Sequence, residues 1–253
     1  MSSDNLMNRM GNEMATMLRK VGFFHYGGYD QSDPPGSLRD SLAEASQEDD
    51  VSDSLIVAPE AFNIRNGYWS HSRSRDQFIK ESLVQISVDF RIALVVGLVE
   101  EGAVGEPGYS SAYLIDGRVC QLLSLKERKD GSGNYRPYEG GWDKPVLHRG
   151  ICIGALICAD AANFNSPASE RHEAVLEQVG AFKVPQAVLC VPACMREYES
   201  KEVARAWPTQ FAVVVGNSWF WQPSLVLRAG ERRDADFVCF KGPQNNVRVI
   251  ALG

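Results

Sequence analysis

Apolar positions in this chain fall into short, almost unbroken runs separated by stretches in which they recur at helical spacing. Lys20 to Tyr26 reads as a short buried strand, followed by a Pro/Gly-rich turn (Asp33-Pro-Pro-Gly36) and a helix around Ser37 to Ala45. Ser54 to Ala58 is a second apolar strand ending at Pro59. Arg73 to Val88 then places Phe78, Leu83 and Ile86 at helical spacing and leads into a strand from Ile92 to Val99. Ser111 to Ile115 and Val119 to Leu125 are joined through Asp116-Gly117, a dipeptide suited to the positive φ angles of a tight hairpin. Here the pattern changes from βα alternation to antiparallel pairing.

After a polar, Gly-rich loop from Glu127 to Trp142 the order repeats. A strand from Ile151 to Cys158 precedes a helix at about Ser169 to Gly180, a strand from Ala187 to Val191, a helix at about Ser200 to Ala206, and a strand from Phe211 to Gly216, with further strands beyond. Two similar halves are implied. Nearly continuous apolar strands belong to sheets covered on both faces, so the class is α/β, and the hairpin excludes a purely parallel winding. No linker or low-complexity tract interrupts the chain, so residues 1–253 read as one domain, with 1–18 an extension, flexible or helical.

Composition narrows the function classes. Of 253 residues, 44% are hydrophobic and 23% charged, which excludes disordered, collagen-like and coiled-coil chains. The net charge of −6 and the absence of a Lys/Arg block leave no footprint for nucleic acid or an anionic membrane. The longest apolar runs, Ile92 to Val99 and Ile151 to Ala159, are far shorter than a bilayer span. Charged residues among the first twenty (Asp4, Arg9, Glu13, Arg19, Lys20) break any secretory signal core, so a cytoplasmic location is expected. Six cysteines, four inside apolar strand-like runs, read as reduced thiols.

The motifs that would announce other chemistries are missing: no phosphate loop, dinucleotide fingerprint, G-x-S-x-G elbow, H-E-x-x-H or paired C-x-x-C. The four histidines lack metal-ligand spacing, and Cys190 with Cys194 has no second pair, so no metal is expected. What remains is a set of polar residues at the carboxyl ends of apolar strands, where open α/β folds place their crevices. Glu60 follows Leu55-Ile-Val-Ala-Pro59, Lys126 follows Gln121-Leu-Leu-Ser-Leu125, and Cys158 ends Ile151-Cys-Ile-Gly-Ala-Leu-Ile157. Each alone has a plain reading: a solvated carboxylate, a sheet-edge lysine, a small core residue.

In this order the three resemble the nitrilase superfamily, the carbon-nitrogen hydrolases whose signature is Glu, Lys and Cys at successive strand ends. Leu55-Ile-Val-Ala-Pro-Glu60-Ala-Phe with Gly67-Tyr68 downstream is similar to the family's Glu block. Tyr109-Ser-Ser-Ala-Tyr-Leu-Ile-Asp116, running through the hairpin to Ser124-Leu-Lys126, resembles its Lys block. Ile153-Gly-Ala-Leu-Ile-Cys158-Ala-Asp160 resembles its Cys elbow. Ala187-Val-Leu-Cys-Val-Pro192-Ala and Phe211-Ala-Val-Val-Val-Gly-Asn217-Ser look like its later strands, so the likeness runs from about Lys20 to Asn217. There are departures. Position 128 is Arg where the family often has His, Lys129-Asp-Gly-Ser-Gly133 looks inserted, and Ala161-Ala-Asn163-Phe164-Asn165 replaces the usual Arg-Phe-Pro-Glu.

The resemblance implies an α-β-β-α sandwich of two pseudo-equivalent halves, and a homodimer or higher homo-oligomer. It also implies hydrolysis of a small linear amide or carbamoyl compound through a cysteine thioester. Nitrilase and acyltransferase chemistries use the same three residues, and a silent binding relative would keep the fold alone. Cys158 would be the nucleophile, Glu60 the proton carrier, and Lys126 with the Ala159 N–H the donors to the developing oxyanion, with no cofactor needed. The family's second glutamate matches Glu139 in Arg136-Pro-Tyr-Glu139-Gly-Gly-Trp142, with Glu127 as the alternative. Tyr68, Tyr135, Tyr138 and Trp142 either line a substrate pocket or lid the core. Arg196 either meets a substrate carboxylate or opens a surface helix, and Trp219 with Trp221 reads as core or subunit contact.

Overall fold

A computed structural model describes residues 17–27, 33–60, 62–63, 73–101, 107–127, 135–138, 142–162, 186–194, 200–203, 211–218, 222–229 and 237–252. The elements are β1 (Lys20–His25), α1 (Pro34–Glu48), β2 (Ser54–Val57), α2 (Arg73–Phe90), β3 (Ala93–Glu101), β4 (Pro107–Asp116), β5 (Val119–Leu125), β6 (Trp142–Asp143), β7 (Val146–His148), β8 (Ile151–Ala155), α3 (Ala159–Ala162), β9 (Ala187–Ala193), β10 (Phe211–Asn217), β11 (Ser224–Leu227), β12 (Phe237–Phe240) and β13 (Asn246–Ala251). A further helical stretch covers 200–203.

Two sheets form, with orders β13-β1-β2-β3-β4-β5-β6 and β12-β11-β10-β9-β8-β7. In the first, β1, β2 and β3 run parallel and are flanked by antiparallel β13 on one side and β4-β5 on the other. In the second, β8, β9 and β10 run parallel between antiparallel β7 and β11-β12. The two halves expected from the repeated pattern are therefore present, each with three parallel strands between antiparallel ones, and the first sheet carries one more edge strand, β6.

The apolar runs are continuous because both faces of the first sheet are covered. Along β2, Leu55 and Val57 enter a core shared with the second sheet, while Ile56 and the following Ala58 enter a second core under the helices. Along β3 the same alternation sends Ala93 and Val95 inward and Leu94 and Val96 to the helix side. The helix-side core takes Leu38 and Leu42 from α1 and Ile79, Leu83 and Ile86 from α2. Helix-sheet-sheet layering is thus seen directly. The helix read at 169–180 lies outside the described residues.

Three local readings are corrected. The Asp33-Pro-Pro-Gly36 stretch is the start of α1, not a turn before it: Asp33 caps the helix by accepting the Gly36 N–H at 3.0 Å, and the prolines occupy the first positions. No helical N–H is lost there, because the first-turn N–H groups have no intrahelical partner. In α2, Phe78 is 61% exposed and Ile79 takes the inward place. Ile79, Leu83 and Ile86 follow the i, i+4, i+7 rule, whereas Phe78 sits about 100° around the helix. In the β4–β5 hairpin, Asp116 pairs with Val119, so the turn is Gly117-Arg118, with Gly117 at φ +55°.

At the amino ends of β2 and β8 a polar clamp joins the sheets. Arg149 contacts Asp53 at 2.5 Å and Asp116 at 3.3 Å, and His148 Nε2 lies 2.6 Å from Asp116. Nearer the carboxyl ends, glycines allow close approach: a Cβ on Gly97 would lie 2.7 Å from the Glu60 Cα and 3.0 Å from the Pro192 Cβ, and one on Gly216 would strike the Val57 carbonyl. Among the described residues no helix is long and apolar enough to cross a membrane.

Candidate active site

The carboxyl ends of β2, β5 and β8 bring Glu60, Lys126 and Cys158 together. Past β2 the chain keeps running beside β3: Ala58 donates to the Val95 carbonyl at 2.8 Å, Gly97 to Pro59 at 3.2 Å, and Phe62 to Gly97 at 2.9 Å. That ladder carries Glu60 inward, to 6% exposure. Lys126 is fully buried, and its N–H donates to the Ser110 carbonyl at 2.8 Å. Its Nζ donates to Glu60 Oε1 at 2.6 Å, and the Ser110 hydroxyl donates to the same oxygen at 3.0 Å. Nζ also lies 4.5 Å from the ring centre of the buried Tyr135, within cation–π range.

Cys158 does not end a strand, as the run of apolar residues suggests. β8 stops at Ala155, although Leu156 and Cys158 still donate to the Cys190 and Pro192 carbonyls of β9, both at 3.0 Å. Cys158 then adopts φ +45°, in the left-handed region, and its carbonyl accepts the Ala161 N–H at 3.0 Å to begin α3. For a non-glycine residue this backbone costs about 1–2 kcal/mol, a strain typical of functional turns. The turn ends the ladder: the Cys194 backbone N–H hydrogen-bonds the Cys158 sulfur.

Burial is the largest cause pushing the Cys158 thiol well above the ordinary range, and the Glu60 charge adds to it. Lys126 and the Cys194 N–H pull the other way. The resting group is a protonated thiol within electrostatic reach of a carboxylate and an ammonium. Burial also pushes Cys152 up to about 11 and raises Cys190, but neither has a charged neighbour among its causes. No disulfide joins any of the six cysteines.

Two residues quoted in the sequence blocks without a role help build the site. Ser110 touches both Glu60 and Lys126. Asp160, 2% exposed, accepts the Glu127 N–H on Oδ2 at 2.8 Å and so fastens the Lys126 loop to the Cys158 turn. Both are small polar residues inside apolar blocks, and that was the available signal. Tyr138 donates its N–H to the Lys126 carbonyl at 3.0 Å, and its ring meets Tyr109 edge-on at 5.4 Å. Ala159 is half-buried at the first position of α3. Glu139, Tyr68, Arg196, Trp219 and Trp221 lie outside the described residues; Trp142 pairs with Leu125 through its backbone, and its side chain is likewise outside them. No group of three or more metal-ligating side chains occurs among the described residues.

No family model matches the chain, and no curated protein matches it in sequence. Solved structures do resemble it. A double mutant of the amidase from Nesterenkonia sp. AN1, in complex with acrylamide, has a TM-score of 0.64 at 16% identity, covering 95% of this chain and 92% of that one. A variant of the same amidase with the acetamide moiety of fluoroacetamide on its active-site cysteine has a TM-score of 0.60 at 16% identity, covering 93% and 90%. The carbon-nitrogen hydrolase of Helicobacter pylori G27 has a TM-score of 0.65 at 12% identity, covering 93% and 90%. The fold is therefore that of nitrilase-superfamily amidases, in agreement with the α-β-β-α architecture read from the sequence.

Proposed function

We propose that this protein hydrolyses the carbon-nitrogen bond of a small linear amide or carbamoyl compound through a thioester on Cys158. The observation that carries the reading is the buried Glu60–Lys126 pair, at 2.6 Å, acting electrostatically on a thiol held in a left-handed turn. A structural cysteine has no need of an ion pair whose burial costs several kcal/mol per charge.

A protonated thiol is a weak nucleophile, so attack needs a base. Glu60 takes the Sγ proton as sulfur adds to the substrate carbonyl carbon. The new oxyanion is met by Lys126 and by the Ala159 N–H, which has no acceptor among the described residues. Glu60 returns the proton to the departing nitrogen, leaving ammonia or an amine and a thioester. Water, deprotonated by Glu60, then attacks the thioester carbonyl; as the C–S bond breaks, Glu60 gives that proton to Sγ, which releases the acid and restores the thiol. Glu139 is assigned to orienting Lys126 and the leaving group, since its neighbour Tyr138 is tied to the Lys126 carbonyl.

Two of the Nesterenkonia amidase structures have acrylamide or fluoroacetamide chemistry at the active-site cysteine. We extend those reagents to this chain as probes. Fluoroacetamide should alkylate Cys158, read by peptide mass spectrometry, and a panel of short amides, carbamoyl amino acids and nitriles should include one that releases ammonia. Cys158→Ala should abolish both signals at Cys158. Ammonia release by the Cys158→Ala protein at the wild-type rate would end the proposal.

A further inference from the structure

The two oxygens of Glu60 are not equivalent. Oε1 accepts from Lys126 Nζ at 2.6 Å and from the Ser110 hydroxyl at 3.0 Å. Among the described residues, Oε2 accepts no hydrogen bond, yet it is not sealed from solvent as the orphaned polar atoms of the interior are. Rotation about the last torsion of a glutamate is broad and nearly two-fold, so a single donor leaves the carboxylate free to pivot about it. Two donors from different strands, converging on one oxygen, fix the plane.

Ser110 is built for that purpose. It lies in β4, paired with Val99 of β3, and is fully buried. A hydroxyl has one proton to give, and it goes to Glu60. The Ser110 carbonyl meanwhile accepts the Lys126 N–H at 2.8 Å, so one residue holds the lysine by its backbone and the glutamate by its side chain.

We propose that Ser110 is a positioning residue that, with Lys126, anchors Oε1 of Glu60 and so reserves Oε2 as the oxygen that takes the proton from the Cys158 thiol and later from water. The inference rests on the thioester reading above. It assigns no contact between Ser110 and substrate; Ser110 acts through Glu60 and predicts a rate effect without a binding effect.

The test compares wild type with Ser110→Ala and Ser110→Thr. Two readouts are used: ammonia release from the best substrate in the amide panel, and the rate of Cys158 alkylation by fluoroacetamide, which reads the reactivity of the thiol without turnover. Ser110→Ala should lower kcat about ten- to a hundredfold, the usual effect of losing a hydrogen bond to a charged group, with KM changed less than about twofold. It should also slow Cys158 alkylation, by a similar factor. Ser110→Thr keeps the hydroxyl and should recover both signals to within about threefold. Melting temperatures identify variants that fold; should the threonine methyl not fit, Ser110→Ala, which only deletes an atom, carries the test alone. Wild-type kcat and alkylation in Ser110→Ala, or a loss expressed wholly in KM, would overturn the proposal. If wild type releases no ammonia from any substrate, the hydrolase reading fails, while the alkylation series still decides the role of Ser110.

Discussion

Replacing Lys126 by methionine should destabilise the folded protein out of proportion to the contacts removed. The side chains are 0% and 5% exposed for Lys126 and Glu60, with 2.6 Å between Nζ and Oε1. At an effective dielectric of about 20, opposite charges at that distance attract by roughly 6 kcal/mol, which is offset by several kcal/mol of desolvation per ion. Relative to an apolar isostere the intact pair is therefore close to neutral. Methionine preserves most of the lysine's volume but leaves the Glu60 charge buried with only the Ser110 hydroxyl in contact, and such a broken pair typically costs about 3–5 kcal/mol. Glu60→Gln/Lys126→Met removes both charges and should recover at least half of that loss. Urea unfolding at pH 7 followed by circular dichroism measures it: with a slope of about 3 kcal/mol/M, the Lys126→Met midpoint should fall by about 1–1.7 M. A single variant within about 1 kcal/mol of wild type, or a double variant no more stable than the single, would refute the account of a buried and mutually dependent pair.

Two further predictions test other parts of the molecule. His25 is fully buried, with Nε2 donating to the Gly242 carbonyl at 3.0 Å and Nδ1 accepting from the Ser224 hydroxyl at 3.1 Å, and burial lowers its pKa below 6.5. The unfolded chain then binds the proton more readily, so this stability is complete above about pH 6.5 and declines as pH falls towards the lowered folded value; His25→Gln should flatten that decline in melting temperature, and an unchanged profile would count against it. Because Cys158 sits at φ +45°, Cys158→Gly should relieve backbone strain and melt higher than Cys158→Ala, by the equivalent of about 1 kcal/mol, whereas equal or reversed stabilities would show the turn to be unstrained.

What could be read from the sequence divides along physical lines. The strands β2, β3, β9 and β10 were legible because both their faces are buried, which writes an unbroken apolar run into the chain. The α1 start was misread because Asp-Pro-Pro-Gly is equally good chemistry for a turn and for a helix cap, and only the continuing helix decides. The end of β8 was placed three residues late, since a left-handed cysteine has no sequence signature of the kind glycine provides. Pairing of β13 with β1, and the Arg149 clamp to Asp53 and Asp116, join residues far apart in the chain and have no local pattern at all. Glu60, Lys126 and Cys158 stood out through their order and resemblance, whereas Ser110 and Asp160 needed the distances.

The pseudo-equivalent halves are used unequally, and this explains why the sheets meet so closely at one end. Glu60 and Lys126 belong to the first sheet, Cys158 to the second, so the three side chains come into register only if the sheets are held at a fixed offset. Gly97 gives backbone clearance to Glu60 on one side and Pro192 on the other, and Pro192 in turn accepts the Cys158 N–H. The Asp160 carboxylate reaches back to the Glu127 N–H, next to the lysine. The second half thus holds the loop that carries the lysine of the first. The same inter-sheet packing that buries the apolar strands therefore also sets how Glu60 and Lys126 stand relative to Cys158.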